Sequence, residues 1–438
     1  GGRSVGVPGL LRMLELAHRD HGRLPWARLF QPAIALAERG FAVSPRLASL
    51  IATDKHLKAS PGAAAYFYDA AGNPRPAGHV LKNPAFAETL RRVAEGGADA
   101  FYSGPIARAI VEAVRGVKHN AGAMTLADLE GYRAKRRGPV CAPYRAWRVC
   151  GMGPPTSGGI AVLQILGVLA HFDLAALEPN SAAAVHLIAE AGRLAFADRN
   201  AFLADSDFVP VPVERLLDAA YLARRARAIS PGKSLGKAAP GLPTQNGAMP
   251  AQRDPPSTTH LVVVDADGNA VSMTASIESA FGSRLMAAGF MLNNELTDFS
   301  FRPASEGRAV ANRVAPGKRP RSSMSPTLVL DGERRLVLAV GSPGGSRIIG
   351  YVARALIAAL DWGLDPQAAV ELPHALNRNG ATDLEEGTGV AALKPALEAL
   401  GHEVRVRKMT SGLHAVAITP GGLEGGADPR REGVALGD

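Results

Sequence analysis

The segment TTHLVVVDADGNAVSMTASIESAFGS, residues 258–283, decides the fold of this chain. Apolar and polar side chains alternate over His260–Asp265 and again over Asn269–Ser276, which is the period of a half-buried β-strand. The intervening Ala-Asp-Gly is a favourable hairpin turn. Thr327–Leu330 and Arg335–Val340 flank a similar turn, so the part of the chain after residue 258 is predicted to be rich in sheet.

The first half of the chain is predicted to be mainly helical, with strand-like pieces at Val140–Val149, and helices return within the sheet-rich second half. The longest predicted helix, Ala182–Phe202, has an amphipathic pattern. Apolar residues at helical spacing predict the other helices, which are Leu10–Ala17, Ala27–Ala37, Pro84–Ala94, Ile106–Val114, Ser157–Ala170, Ile348–Leu360 and Val390–Leu400. Strands enclosed by helices indicate an α+β fold.

One long stretch interrupts these patterns. Residues 230–257, SPGKSLGKAAPGLPTQNGAMPAQRDPPS, contain many Gly, Pro and Ser residues and have no hydrophobic period. The stretch is therefore predicted to be a loop. A loop of this length within a compact domain is normally functional or disordered.

Composition excludes several classes of function. The chain has 438 residues, of which 47% are hydrophobic, so it can bury a large core. Its formal charge of +9 is spread along the chain, and the only basic clusters are Arg133–Arg137 and Lys318–Arg321. Nucleic-acid binding is therefore not expected. No apolar run approaches the about 18 residues that a membrane-spanning helix needs.

The cysteines and histidines indicate neither a metal nor a cofactor. Cys141 and Cys150 lie at the two ends of CAPYRAWRVC, where a turn between short strands could pair them in a disulfide, and two buried thiols are an equally good alternative. None of the 11 histidines has the spacing of a metal ligand set, and no zinc or phosphate motif is present.

The step from loop to strand places a hydroxyl residue where it has a specific chemical use. If the peptide bond between Ser257 and Thr258 is cut, Thr258 becomes an N-terminus that carries both a hydroxyl nucleophile and an α-amine. Such an amine has a pKa of about 7.7–8.0, so near neutral pH it can act as the base for its own hydroxyl.

Four separated motifs, in order and spacing, resemble the small subunit of the γ-glutamyltransferase family, which belongs to the N-terminal-nucleophile (Ntn) hydrolases. They are residues 258–283, MLNNELTDFS at 291–300, KRPRSSMSPTLVL at 318–330 and GSPGGSRII at 341–349. The resemblance extends through SVGVPG, LKNPAFAETL, FYSG and PPTSGG upstream and GGADPRREG downstream, so it covers essentially the whole chain.

The resemblance implies an αββα sandwich, in which two sheets are flanked by helical layers. It also implies a large-subunit portion at residues 1–257, N-terminally incomplete relative to the family, and a small subunit at residues 258–438. The two subunits would form a heterodimer cut from one precursor between Ser257 and Thr258. Family members are periplasmic or secreted, and the same is expected for this protein.

The family's catalytic residues correspond to four positions. Thr258 corresponds to the nucleophile, and Ser276 to a hydroxyl that orients it. Gly344 and Gly345 correspond to the backbone amides of the oxyanion hole, where fixed donors stabilise the tetrahedral intermediate by about 3–4 kcal/mol each in other acyl-transfer enzymes. His260 is expected to be structural, because the α-amine of an Ntn enzyme already supplies the base.

The family's substrate-binding residues correspond to five positions. Ser322 and Ser323 match the hydroxyls that hold the substrate α-carboxylate. Glu295 and Asp298 match the residues that bind the α-ammonium. Glu278 stands where an Asn is more familiar, and a carboxylate can still accept from an ammonium group.

The function implied is cleavage of γ-glutamyl amides such as glutathione, with transfer of the glutamyl group to water or to an amino acid or peptide. Two alternatives remain, namely an Ntn amidase for another acyl group, such as a β-lactam side chain, and a non-catalytic protein of the same fold. Family members carry an Arg for the α-carboxylate in a preceding segment, and no motif here matches it, so weak substrate binding is expected. The segment Phe301–Gly317 is shorter than the family's lid and lacks its Tyr, which predicts an open site.

Overall fold

The computed structural model describes residues 1–244, 246–247 and 257–437. The helices are α1 (Leu10–His21), α2 (Trp26–Arg39), α3 (Pro45–Thr53), α4 (Pro61–Phe67), α5 (Pro84–Gly96), α6 (Asp99–Tyr102), α7 (Gly104–Arg115), α8 (Leu126–Glu130), α9 (Gly158–Leu169), α10 (Ala182–Phe202), α11 (Val213–Leu216), α12 (Ala219–Ala226), α13 (Ile348–Leu360), α14 (Pro366–Glu371) and α15 (Lys394–Ala399).

The strands are β1 (Phe41–Ala42), β2 (Val80–Leu81), β3 (Pro139–Tyr144), β4 (Trp147–Met152), β5 (Thr259–Val264), β6 (Ala270–Ala275), β7 (Met286–Ala287), β8 (Phe290–Met291), β9 (Ala304–Ser305), β10 (Arg308–Ala309), β11 (Thr327–Leu330), β12 (Leu336–Gly341), β13 (Ala375–Asn377), β14 (Thr382–Glu385), β15 (Val404–Arg407), β16 (His414–Thr419) and β17 (Gly422–Ala427). The mixture of helices and largely antiparallel sheets is an α+β fold.

The chain divides into two compact units. The first unit contains Gly1–Arg136 and Ser276–Thr297, and the second contains Arg137–Ala275 and Asp298–Asp438. The predicted division at residues 1–257 and 258–438 concerns a cleavage rather than a compact unit, and it stays a prediction.

The first unit is a helical bundle that holds the segment Ser276–Thr297. Asn83 caps α5, because its side chain accepts from the Phe86 N–H, while Pro84 fits the first helical turn. The same Asn83 amide donates to the Gly289 carbonyl at 2.7 Å. Leu285 and Leu292 of the segment belong to the apolar core built around α7. The segment is thus fixed to the helices by both hydrogen bonds and apolar burial.

A six-stranded antiparallel sheet with strand order β17-β16-β12-β11-β4-β3 forms the centre of the second unit. Leu338 and Val340 of β12 join the apolar core on the face that α9 and α13 cover. On the opposite face, the β5–β6 hairpin packs against β12 and β16. A Cβ atom added at Gly341 would lie 2.1 Å from the His260 ring, so the two sheets approach closely there.

The register of the hairpin explains its alternating sequence. His260 of β5 is only 4% exposed and faces the six-stranded sheet, whereas Leu261 and Val263 are 42% and 54% exposed. The predicted strands of residues 260–265 and 269–276 are therefore present with ends shifted by one residue.

Helix α10 has the predicted bounds but not the predicted amphipathic exposure. His186, Glu190, Arg193, Asp198 and Arg199 are all buried. They are buried because α9 covers one side of the helix, while β13 and α15 cover others. The prediction of an amphipathic helix was therefore wrong, since polar side chains that pair with distant partners look like surface residues in a sequence.

The predicted helix Val390–Leu400 is divided into two parts. Gly389–Leu393 forms a 3₁₀ turn, and α15 begins afresh at Lys394. Pro395 lacks a backbone N–H and suits only the first turn of a helix, so it separates the two parts.

The predicted loop of residues 230–257 is irregular but firmly attached where it is described. The Leu235 N–H donates to Glu190 at 2.8 Å, and Ala238 exchanges two hydrogen bonds with the Asn379 side chain. The Gly241 N–H donates to Asp198 at 2.8 Å. Residues 245 and 248–256 of this loop lie outside the described residues.

Cys141 and Cys150 face each other across β3 and β4 and form a disulfide, with a Cα–Cα distance of 4.1 Å. Of the two alternatives left by the sequence, the structure therefore has the disulfide.

Residues of the two basic clusters are buried or form ion pairs within the fold. Lys318 and Arg321 are buried, and Arg137 pairs with Asp205 and Asp207. Among the described residues, no helix combines the length and apolar character that crossing a bilayer requires.

Candidate active site

Thr258 stands immediately before β5 in a strained conformation. Its φ of +105° is unusual for a β-branched residue and costs on the order of 1–3 kcal/mol. Nη1 of Arg431 donates to the Thr258 carbonyl oxygen at 3.0 Å, and Nε and Nη2 of the same side chain donate to the Thr410 carbonyl at 3.1 and 2.8 Å. Arg431 thereby fixes the backbone of Thr258 from a position 173 residues away.

Gly344 and Gly345 form the turn between β12 and α13. Their φ angles are +136° and +62°, and a Cβ atom at Gly344 would lie 2.6 Å from the Tyr351 ring. Only glycine fits at Gly344, because both the backbone conformation and the ring exclude a side chain. The amides of this turn precede the N-terminus of α13, where backbone N–H groups favour a negative charge.

The turn and the Arg431 side chain approach the same point of the second unit. A Cβ atom added at Gly412 would lie 2.8 Å from Cγ of Pro343 and 2.8 Å from Cδ of Arg431. Pro343 directly precedes Gly344, and Arg431 holds the carbonyl of Thr258. The structure thus brings the predicted nucleophile and the predicted oxyanion turn into one region.

Ser322 and Ser323 are fixed from the PPTSGG motif and from α10. The Ser322 carbonyl accepts from the N–H and the hydroxyl of Ser157 at 2.8 and 2.7 Å. The Ser323 hydroxyl oxygen accepts from Nη2 of Arg199 at 2.6 Å, and Nε of Arg199 donates to the Ser157 hydroxyl at 2.8 Å. One buried guanidinium therefore holds both the serine pair and the motif that supports it.

Sequence reasoning did not single out Arg199 or Arg431. Arg199 is one of several charged residues in a helix with an amphipathic pattern, and Arg431 lies in the motif GGADPRREG, which contributes only to the family resemblance. No local pattern distinguishes Arg199 from the other charged residues of this helix.

Ser276, Glu278 and Glu295 lie together in the first unit. Ser276 donates to the Glu295 carboxyl group, and its hydroxyl oxygen accepts from the Glu278 N–H at 2.8 Å. Glu278 accepts from the Ser279 hydroxyl at 2.7 Å and from the side-chain amide of Asn294. Two carboxyl groups therefore share one small polar site.

Glu295 is the most perturbed of the predicted site residues. Burial, together with the nearby Glu278 charge, raises the pKa of Glu295 to about 7, against the hydrogen bond from Ser276, which lowers it. Although the residue as a whole is partly exposed, its Oε1 atom is buried and has no hydrogen-bond partner among the described residues. A cation placed there would relieve the charge repulsion and satisfy this oxygen.

Asp298 lies in the second unit and is partly exposed. Its carbonyl oxygen accepts from the side-chain amide of Asn312 at 2.7 Å. Ser257, the residue before the predicted nucleophile, is also partly exposed.

His260 has a structural environment. Its Nδ1 lies 2.8 Å from the Thr274 hydroxyl across the hairpin. Burial, with a smaller effect from His414, lowers the pKa of His260 to about 3, so the ring is neutral near pH 7.

One group of potential metal ligands occurs within the described residues, formed by His186, Glu190 and His402. Nδ1 of His186 lies 2.7 Å from Nε2 of His402, and Nε2 of His186 lies 2.8 Å from the Ser230 carbonyl. Two nitrogens bound to one zinc ion at about 2.0–2.1 Å in tetrahedral geometry would stand about 3.3 Å apart. The group is therefore a hydrogen-bonded cluster that holds the loop after residue 230.

The layered sheets, the threonine at the start of a hairpin strand and the glycine turn before α13 are the arrangement of an Ntn hydrolase, a class that cleaves amide bonds. A family model described as "Gamma-glutamyltranspeptidase" matches residues 1–438. The chain therefore belongs to the γ-glutamyltranspeptidase family. The predictions of the family, of the αββα Ntn-hydrolase fold and of an enzyme are confirmed.

Similar proteins include both transpeptidase-type hydrolases and acylases. The chain is 37% identical over 438 residues to the glutathione hydrolase proenzyme of Escherichia coli (strain K12), covering 97% of this chain and 73% of that protein. It is 37% identical over 441 residues to the Acylase ACY 1 proenzyme of Pseudomonas sp. (strain SE83), covering 100% and 75%. The crystal structure of cephalosporin acylase from Bacillus halodurans superposes with a TM-score of 0.82 at 26% identity, covering 98% of this chain and 77% of that chain.

Proposed function

We propose that this chain is an autoprocessing γ-glutamyltransferase and hydrolase that cleaves γ-glutamyl amides, glutathione among them, through a γ-glutamyl ester on Thr258. The observation that carries the proposal is Oε1 of Glu295, which is buried beside Glu278 and has no hydrogen-bond partner among the described residues, because an α-ammonium group can pair with both carboxyl groups. A simple acyl side chain has no such cation.

The first reaction is self-cleavage. The Thr258 hydroxyl attacks the Ser257 carbonyl, the C–N bond to Thr258 breaks, and the released amine takes up the proton from the hydroxyl. Water then hydrolyses the Ser257 ester, so that residues 1–257 and 258–438 become the two subunits of a heterodimer. The positive φ of Thr258 and the hydrogen bond from Arg431 to its carbonyl favour this reaction, because both keep the Thr258 backbone out of relaxed strand geometry.

The catalytic cycle uses the new N-terminus. The α-amine of Thr258 accepts the hydroxyl proton while the oxygen attacks the γ-carbonyl of the substrate. The amides of Gly344 and Gly345 stabilise the oxyanion, and Ser276 orients the nucleophile. The amine leaving group departs with the proton, and water or an amino acid amine then attacks the ester and restores Thr258.

Substrate recognition follows the two charged groups of the glutamyl moiety. Glu295, Glu278 and Asp298 bind the α-ammonium. Ser322 and Ser323 bind the α-carboxylate, supported by the Arg199 guanidinium on the Ser323 hydroxyl. This support supplies positive charge that two serines alone lack.

We propose that the protein works in the periplasm or outside the cell, a location that the family resemblance and the Cys141–Cys150 disulfide support.

An acylase function is the second candidate, because an acylase and a glutathione hydrolase are equally similar in sequence. Comparing γ-glutamyl anilide with glutaryl anilide, which lacks only the α-amino group, separates the two functions. A γ-glutamyl transferase should prefer the first substrate in kcat/KM by at least about tenfold, the value of one lost charge-assisted hydrogen bond. Preference for glutaryl anilide would refute the proposal, and the Thr258→Ala variant controls for background hydrolysis.

A further inference from the structure

Asn312 joins the two motifs that are proposed to bind the charged groups of the substrate. It is 1% exposed, and it lies between the DFS motif at residues 298–300 and the RSS motif at residues 321–323. Its side-chain amide donates to the Asp298 carbonyl at 2.7 Å, and its Oδ1 accepts from the Arg321 N–H at 3.0 Å. One side chain thus connects the backbones of both motifs.

The backbone around Asn312 is itself held in place. The Ser300 N–H donates to the Asn312 carbonyl at 2.9 Å. The buried Lys318 ammonium group donates to the carbonyls on either side, at 2.5 Å to Ala311 and 3.1 Å to Arg313. Because these bonds fix the main chain, the side-chain amide has little freedom to change partners.

We infer that Asn312 is a positioning residue that sets the spacing between the Asp298 and Ser322–Ser323 segments, and so the selectivity for a substrate with both an α-ammonium and an α-carboxylate. The inference rests on the proposed function. It extends that function by naming a residue that touches no substrate and still determines substrate choice.

The two side-chain hydrogen bonds described above, with the Asp298 carbonyl and the Arg321 N–H, can be separated by substitution of Asn312. Asn312→Asp keeps an oxygen that accepts from the Arg321 N–H but sets a carboxylate against the Asp298 carbonyl, so the Asp298 side of the bridge is lost. Asn312→Ala removes both bonds. A residue that only stabilises the fold would show no such distinction between the two variants.

The test measures kcat/KM for γ-glutamyl anilide, for glutaryl anilide, which lacks the α-amino group, and for γ-aminobutyryl anilide, which lacks the α-carboxylate. For Asn312→Asp we expect selectivity against glutaryl anilide to fall by about tenfold while selectivity against γ-aminobutyryl anilide persists. For Asn312→Ala both selectivities should fall, mainly through KM, because these groups bind equally in the ground and transition states.

The matched control is Gln164→Ala. Gln164 is 2% exposed, and its amide donates two hydrogen bonds, to Asp198 and to the Leu216 carbonyl, neither of which lies in a proposed substrate motif. This variant should lose stability and keep both selectivities. Unchanged selectivities in Asn312→Ala, or equal losses in Gln164→Ala, would overturn the inference.

A measurement on the unsubstituted chain covers the case in which the variants do not fold. Glutamate at saturation should slow hydrogen–deuterium exchange in peptides spanning residues 309–323, and lack of protection there contradicts the inference. If the unsubstituted chain neither cleaves γ-glutamyl anilide nor binds glutamate, the proposed function fails and the inference falls with it. Cleavage with unchanged selectivity in the variants refutes the inference alone.

Discussion

Replacing Glu295 by Gln should make substrate binding weaker and independent of pH, while making the free protein more stable. In the parent chain, burial and the Glu278 charge raise the pKa of Glu295 to about 7, so the carboxylate that would bind the α-ammonium is only half ionised near neutral pH. Glutamine has nearly the same shape and no charge.

The size of the stability change follows from the difference between the ordinary glutamate pKa of 4.5 and the pKa of about 7 for Glu295 in the folded protein. Each pH unit corresponds to about 1.4 kcal/mol, so ionising the folded carboxyl costs about 3–4 kcal/mol. Since the folded pKa is raised, the contribution of Glu295 to stability is most favourable below pH 4.5, falls as the pH rises towards about 7, and is then constant. Glu295→Gln should therefore raise the free energy of unfolding by up to about 3–4 kcal/mol at pH 8 and by nearly nothing at pH 4.

Substrate binding should change with pH in the opposite direction to stability, because the α-ammonium of the substrate pairs with the ionised form of Glu295. Measured from pH 5 to pH 8, KM for γ-glutamyl anilide should fall about tenfold per unit below about pH 6 and level off above about pH 7. Glu278→Gln is the control, because it removes the repulsion and should move the profile to lower pH. A flat KM profile in the parent chain, or destabilisation of the protein by Glu295→Gln at pH 8, would show that Glu295 is not the perturbed carboxyl group that binds the α-ammonium.

Three further predictions concern self-cleavage, the oxyanion turn and the access of water to the site. Arg431→Met should slow self-cleavage at least about tenfold, because it removes charge-assisted hydrogen bonds worth about 1.5–3 kcal/mol. The control Arg405→Met, which breaks an exposed ion pair, should cleave at the parent rate. Equal cleavage rates of Arg431→Met and the parent chain on a denaturing gel would contradict this prediction. Gly344→Ala should lower kcat by about 10²-fold, because its Cβ atom would meet the Tyr351 ring and displace the amides of the oxyanion turn. Gly389→Ala, at a position with open space around it, is the control. An unchanged kcat in Gly344→Ala would exclude the oxyanion assignment. Because the segment Phe301–Gly317 is short, the site should be open and water should compete well with amine acceptors in deacylation. Mainly transpeptidation product at modest acceptor concentration would contradict this prediction.

The parts of the fold that could be predicted from the sequence are those that local periodicity encodes. Helices α10 and α13 have the predicted bounds, and β11 agrees residue for residue. Alternation in residues 260–276 identified a hairpin with one buried face. In each case the neighbours along the chain carry the information.

The parts that could not be predicted depend on partners that are distant in sequence. Arg199 meets Ser323 across 124 residues, and Arg431 meets Thr258 across 173, and no period or local motif reports such a pairing. The same reason explains why the residues after Ser230 read as a plain loop. Their hydrogen bonds end on Glu190, Asp198 and Asn379, which belong to other elements.

Self-cleavage before Thr258 and catalysis by the freed threonine are tested together by sequencing the N-termini of the purified chain after incubation at neutral pH and by following its turnover of γ-glutamyl anilide. We expect two fragments, one of which begins at Thr258, and turnover that appears as the cut proceeds. The Thr258→Ala variant should remain one inactive chain. An intact chain, or a new N-terminus at any residue other than Thr258, would contradict self-cleavage by Thr258.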